Sequence, residues 1–215
     1  AESSLRFSLL LKPGCRGEAF YFRFADDFVA CFQYRQDATA FMEALTGRLG
    51  KFALTLAEEK TRCIEFGRYA RDNARRRGEK PQEFTFLGFT HYCGKTKKGY
   101  FKVKRRTSRK KLGASLRAFS EWARLARNKL TKGEMLRRAK ARVQGHLNYY
   151  AITDNAKGCT TYVSRATRIL HKWLNRKSQR KAYTWDQLRQ ALEWVGWPRV
   201  RIHKDLSPFR RAEAC

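Results

Sequence analysis

An α+β chain in two parts is predicted: a strand-rich first part and a basic helical second part. Three observations predict it. In residues 18–34 apolar side chains recur with a period of two. From Thr107 onward the apolar period becomes helical. The charge divides as well: residues 1–100 hold 18 basic and 12 acidic residues, net +6, whereas residues 101–215 hold 30 basic and 7 acidic, net +23.

The first element is a β-hairpin over Glu18 to Tyr34. Phe20, Phe22 and Phe24 share one face, and Phe28, Ala30 and Phe32 alternate after the break. Ala25-Asp26-Asp27 forms the tip, with no Gly or Asn to make an ordinary two-residue turn. A helix is expected from about Asp37 to Gly50. Asp37 suits an N-cap, and Phe41, Met42, Leu45 and Leu49 make one apolar stripe. Leu54-Thr55-Leu56 and Cys63 to Phe66 read as short strands around the polar turn Ala57 to Lys60. Residues 67–83 are polar and Arg-rich and read as a surface loop. Phe84 to Phe89 reads as one strand. Gly94 to Gly99 is a Lys-rich turn, and Tyr100 to Lys104 is its partner strand.

The helical part follows. Leu112, Leu116, Phe119, Ala123 and Ala126 form one stripe. Thr131 and Glu134 make a capping box, opening a helix that carries Met135, Ala139, Val143, Leu147 and Tyr150. A third helix runs from about Gly158 and presents Tyr162, Ala166, Ile169 and Trp173. Thr184 and Gln187 make a second capping box, and that helix stops near Gly196 and Pro198. The change of period places the boundary between residues 104 and 105, giving parts 1–104 and 105–215. The tail from Arg199 has no clear period.

Composition bounds the function. The 215 residues carry a net charge of +29, and 42% are hydrophobic, which is enough for a core and excludes a wholly disordered basic tail. No run of about 18 uncharged apolar residues predicts a membrane span. The short apolar stretch Phe7 to Leu11 lacks the flanks of a signal peptide. So strong a positive field favours a polyanion, and nucleic acid is the commonest. A solvated surface is the plain alternative, and an anionic membrane is a weaker rival. No two of the six cysteines stand at CxxC spacing, which fits small buried hydrophobes in a reducing, cytoplasmic setting. The four histidines make no ligand cluster with them.

Asp26 and Asp27 are the sharpest chemical feature. An Asp pair in a turn is ordinarily just solvated. Here it joins two apolar strands, and adjacent like charges are costly unless a cation neutralises them. Two carboxylate-held divalent metals are a standard engine of nucleotidyl transfer. Phe24-Ala25-Asp26-Asp27 resembles the Tyr-Ala-Asp-Asp box of reverse transcriptases. The stretch that follows is similar to the group II intron reverse transcriptase/maturase family. Leu54 to Thr61 looks like its next block, and Phe84 to Phe89 like the block supporting the primer strand. Gly145 to Tyr150 and Lys172 to Gln179 look like the thumb, or maturase domain X. The order and approximate spacing agree over about Leu11 to Arg201.

The resemblance implies a partial palm of hairpin, helix and short strands over 1–104, followed by a thumb/maturase bundle over 105–215. It implies catalytic Mg²⁺ at Asp26 and Asp27, with Lys60 near the nucleotide phosphates as a proton donor to pyrophosphate. Phe86, Leu87, Gly88 and Phe89 would form the primer grip, or a core strand, or both. Arg105, Arg106, Arg109, Lys110, Arg176 and Lys177 would contact intron RNA, with His146 and Tyr149 stacking on bases. Helix-core packing is the rival for these rings and is favoured for Tyr150. The implied partners are group II intron RNA, an RNA template with DNA primer, and deoxynucleotides. Two departures stand out. Phe24 replaces the usual Tyr. Residues 1–23 contain no Asp and only Glu2 and Glu18 as acids, so no upstream palm carboxylate is supplied. The expected activity is RNA-directed DNA polymerase and maturase, with this chain a C-terminal fragment inactive alone. The alternatives are a non-enzymatic RNA-binding fragment or a degenerate mobile-element remnant.

Overall fold

The structure is a computed structural model that describes residues 14–57, 59, 61–176 and 183–206. Contacts divide the chain into two compact units, Ala1–Phe86 and Leu87–Cys215. The last strand ends at Thr107 and the first basic helix starts at Arg109, but the unit boundary lies earlier, so the hairpin over residues 89–107 falls with the helices.

In the first unit, β1 (Ala19–Phe24) and β2 (Asp27–Phe32) pair antiparallel, with Phe24 opposite Asp27. The expected hairpin is present, and its loop has just two residues, Ala25 and Asp26. Without glycine, Ala25 takes a φ of 50°, a conformation that costs a non-glycine residue about 1–2 kcal/mol. The Arg23 Nε–H donates to the Ala25 carbonyl at 2.8 Å and braces the turn. The alternation also holds, but the face bearing Ala19, Tyr21, Phe28, Ala30 and Phe32 is the one that packs on the following helix. Phe22 and Phe24 are 56% and 63% exposed.

That helix, α1 (Arg35–Gly50), places Phe41 on Phe32 with ring centroids 5.3 Å apart. It starts two residues earlier than expected, with Tyr34 as the N-cap. Asp37 is not the cap. Its buried carboxylate accepts the backbone N–H groups of Arg16 (3.1 Å) and Gly17 (3.4 Å). Leu54 to Leu56 and Cys63 to Phe66 form no strand, since a β-prone triplet needs a neighbouring edge. The loop expected over 67–83 contains a short helix, α2 (Ala70–Arg76), because Ala70 and Ala74 bury one face. The unit ends with β3 (Glu83–Phe86).

The single strand expected over 84–89 is broken. Leu87 and Gly88 have φ of 50° and 79°, and β4 (Phe89–Lys95) begins after them. In the second unit β4 pairs antiparallel with β5 (Phe101–Thr107) through the Thr96 to Tyr100 loop, as expected. Four helices follow: α3 (Arg109–Lys129), α4 (Lys132–Tyr150), α5 (Ala156–Leu174) and α6 (Trp185–Trp194). Both predicted capping boxes are formed. Leu116, Phe119, Ala123, Met135, Ala139, Val143, Leu147, Tyr162 and Ala166 meet in one core, so the predicted stripes face one another. The tail returns to this core: the His203 N–H donates to the Ala151 carbonyl at 3.0 Å, and Lys204 bridges Ile152. The protein is thus mixed α+β. No helix among the described residues is long and apolar enough to cross a membrane.

Candidate nucleic-acid interface

The stripes that build the core force the cations outward. On α3, Arg109, Lys110, Arg117 and Arg124 are exposed, while Leu116, Phe119 and Ala123 are buried. On α4 the exposed cations include Arg137, Arg138 and Arg142; on α5 they include Arg165, Arg168 and Lys172. The unit Leu87–Cys215 holds 33 Lys and Arg against 7 Asp and Glu, net +26. Seven carboxylates cannot pair with 33 cations. Lys102 takes Asp154 at 3.0 Å, Arg124 takes Glu121 at 3.3 Å and Arg189 takes Asp186 at 3.3 Å. Glu134 is committed to its capping box. The surplus of cations over acids leaves a net positive unit, which attracts polyanions.

Aromatic rings are interleaved with the cations. Arg142 lies over Trp122 at 4.6 Å, Arg127 over Trp173 at 5.0 Å, Arg137 over Trp194 at 5.7 Å and Lys132 over Tyr183 at 5.6 Å. A guanidinium resting on a ring is preorganised and loses less freedom on meeting a phosphate. Sequence reading did not single out these pairs. Trp173 beside Lys172 was a visible signal; Arg127 against Trp173 joins different helices and was not.

Of the residues expected to meet RNA, Arg109 and Lys110 are exposed in the first turn of α3. Arg106 is exposed, with its guanidinium 5.1 Å from the Tyr92 ring centroid. Arg105 is half-buried and donates to the Leu206 carbonyl at 3.2 Å. Arg176 is exposed at the end of α5. Lys177 and Lys60 lie outside the described residues. Tyr149 is exposed, but its hydroxyl donates to the Leu87 carbonyl at 2.9 Å and its ring stacks on Phe89 at 5.7 Å. Leu87, Gly88 and Phe89 therefore sit against the C-terminal end of α4. The Gly88 carbonyl accepts the Ser108 N–H at 2.9 Å, and a Cβ on Gly88 would come 2.9 Å from the Tyr150 hydroxyl. Glycine serves both the positive φ and the close approach. Phe86 ends β3 half-buried.

His146 faces inward. Its ring stacks on Tyr162 at 3.5 Å and tilts against Tyr150 at 4.5 Å. Burial pushes its pKa down to about 4. The unfolded chain returns it to about 6.5 and binds a proton that the native unit refuses until about pH 4. The stability conferred by the neutral ring is therefore full above pH 6.5 and is lost as pH falls toward 4. The expected loss is on the order of 3 kcal/mol. His91, lowered by burial and then by Arg105, acts in the same direction. Urea denaturation at several pH values checks this. His146→Phe keeps an aromatic ring on Tyr162 and should flatten part of the slope; an unchanged slope would return His146 to ordinary titration.

Asp26 and Asp27 are both exposed at the hairpin turn. Carboxylate oxygens suit a hard divalent cation. Among the described residues, however, no group of three His, Cys, Asp or Glu side chains gathers, so this turn brings two donors and no third. The described residues do not complete a Mg²⁺ site. Compared with known protein families, with curated proteins and with solved structures, the chain matches none.

Proposed function

We propose that this chain binds RNA through the basic helical surface of Leu87–Cys215, as the thumb/maturase part of a group II intron reverse transcriptase does. The observation that carries the reading is the outward array of cations on α3, α4 and α5, interleaved with tryptophans and short of carboxylates. Phosphate contact supplies affinity, and exposed rings offer stacking to unpaired bases. The Asp26–Asp27 turn and the blocks at Leu54, Phe84, Gly145 and Lys172 support the family reading through their resemblance. On that reading the whole enzyme copies RNA into DNA and assists intron splicing, with Asp26 and Asp27 contributing to Mg²⁺ binding. No chemical step is assigned to the two carboxylates alone.

Filter binding of a structured RNA to the full chain tests the reading. Binding at low salt is expected, and replacement of Arg117, Arg138 and Arg165 by Gln should weaken it while leaving the circular dichroism spectrum unchanged. Absence of binding at low salt would sink the proposal. With RNA template, DNA primer, deoxynucleotides and Mg²⁺, the chain alone should extend no primer. Extension that Asp26→Asn abolishes would show a complete polymerase site instead.

A further inference from the structure

Trp173 near the end of α5 gathers three cations. Arg127 of α3 lies over its ring at 5.0 Å, Lys172 at 5.2 Å and Arg176 at 5.6 Å. The indole itself is fixed, with its Nε1–H donating to the Ser120 hydroxyl at 3.1 Å. Arg127 is anchored too: one terminal nitrogen donates to the Arg176 carbonyl at 3.3 Å. Its Nε is buried with no hydrogen-bond partner among the described residues.

Three like charges on one side chain repel one another, so something must offset them. Among the described residues, carboxylates do not. The sequence has no Asp or Glu between Asp154 and Asp186, a span that includes the whole of α5. The acid of α3, Glu121, is taken by Arg124. The C-terminal dipole of α5 offers about half a negative charge, well short of three. Quadrupole attraction to one indole is about 0.5–1 kcal/mol per cation at exposed sites. Both are too small to neutralise the cluster, and neither fills the hydrogen-bonding capacity of two guanidiniums.

We propose that Arg127, Lys172 and Arg176 around Trp173 form a phosphodiester-binding site, where the backbone of an RNA strand crosses from α3 to α5. This rests on the RNA-binding reading and assigns it a place. Guanidiniums match phosphate oxygens in a two-point fork, and the ammonium adds a point charge. The indole floor holds the donors in position before the strand arrives.

The test compares two variants of the full chain with equal loss of charge. One replaces Arg127, Lys172 and Arg176 by Gln. The other replaces the exposed residues Lys95, Lys97 and Lys98, at the end of β4 and in the loop after it, by Gln. The cluster variant should lose about tenfold or more in RNA affinity, and its slope of log affinity against log salt should flatten by about 2 to 3. The loop variant should keep the wild-type slope. In parallel, the ¹⁵N indole resonance of wild-type Trp173 is followed during titration with an RNA oligonucleotide and, separately, with inorganic phosphate. It should shift saturably with RNA at concentrations where phosphate leaves it unmoved. This second readout needs no variant to fold. Equal slopes for the two variants, or a Trp173 resonance that ignores bound RNA, would overturn the site while leaving RNA binding intact. A saturable shift with phosphate alone would also overturn it, marking a free-anion site. Failure of the wild-type chain to bind any RNA would remove both proposals together.

Discussion

Raising salt from about 50 to 200 mM should lower the RNA affinity of this chain by about a thousandfold or more, if about six of its exposed cations each meet a phosphate. Each cation that neutralises a phosphate releases condensed counterions, and that release loses value as bulk salt rises. The size of the effect follows from the fold. The apolar stripes on α3, α4 and α5 leave Arg109, Arg117, Arg137, Arg142, Arg165 and Arg168 exposed, and engagement of about six such cations gives a loss of this size. Replacing chloride with glutamate, a weaker competitor for cations, should move the curve but not its sign. A plot of log affinity against log salt with a slope shallower than about −2 would mean that few phosphates are engaged, and the basic surface would then be a solvated one.

Replacing Asn155 with Ala should cost the helical unit about 2–4 kcal/mol. Asn155 is 1% exposed, yet all of its amide is used. Its Oδ1 accepts the Thr107 N–H at 2.8 Å, and its Nδ2 donates at 2.8 Å to the Thr107 hydroxyl and to the Tyr150 carbonyl. One side chain thus ties the end of β5, the end of α4 and the start of α5. Alanine leaves the buried Thr107 N–H unpaired, which costs about 1–3 kcal/mol in addition to the lost bonds, while the Tyr150 carbonyl keeps the Ile152 N–H at 2.8 Å. Asn155→Asp should be harmful as well, since a carboxylate cannot donate to Tyr150. Gly158→Ala gives an independent check, because its Cβ would run into Asn155 Oδ1 and push the amide from its partners. Urea denaturation of the full chain reads both variants. A loss below about 1 kcal/mol for Asn155→Ala would show that water replaces the amide at little cost.

Much of the secondary structure was legible because its causes are local. Thr131 with Glu134, and Thr184 with Gln187, announce helix starts within four residues of chain. The stripes of α3, α4 and α5 follow from a period of 3.6, and the surplus of 33 cations over 7 acids needs only counting. The hairpin was legible for the same reason; its buried face was not. Both faces of β1 and β2 carry aromatic or aliphatic side chains, so alternation fixes which residues share a face but not which face meets α1. Asp37 had the right chemistry for a cap, but two backbone N–H groups some twenty residues upstream claim its carboxylate.

The candidate interface divides along the same line. Arg109, Lys110 and Arg176 could be named from sequence, since a cation beside an apolar stripe must face water. His146 and Tyr149 could not be placed, because an aromatic ring serves a core and a nucleobase equally well. Only the packed unit decided it, turning His146 onto Tyr162 and tying Tyr149 to Leu87. The charge and the helices were therefore set by residues within a turn or two of each other. The Trp173 cluster and the Asn155 junction required partners about fifty residues apart, which come together only when the hydrophobic core closes and leaves each buried polar group needing a partner.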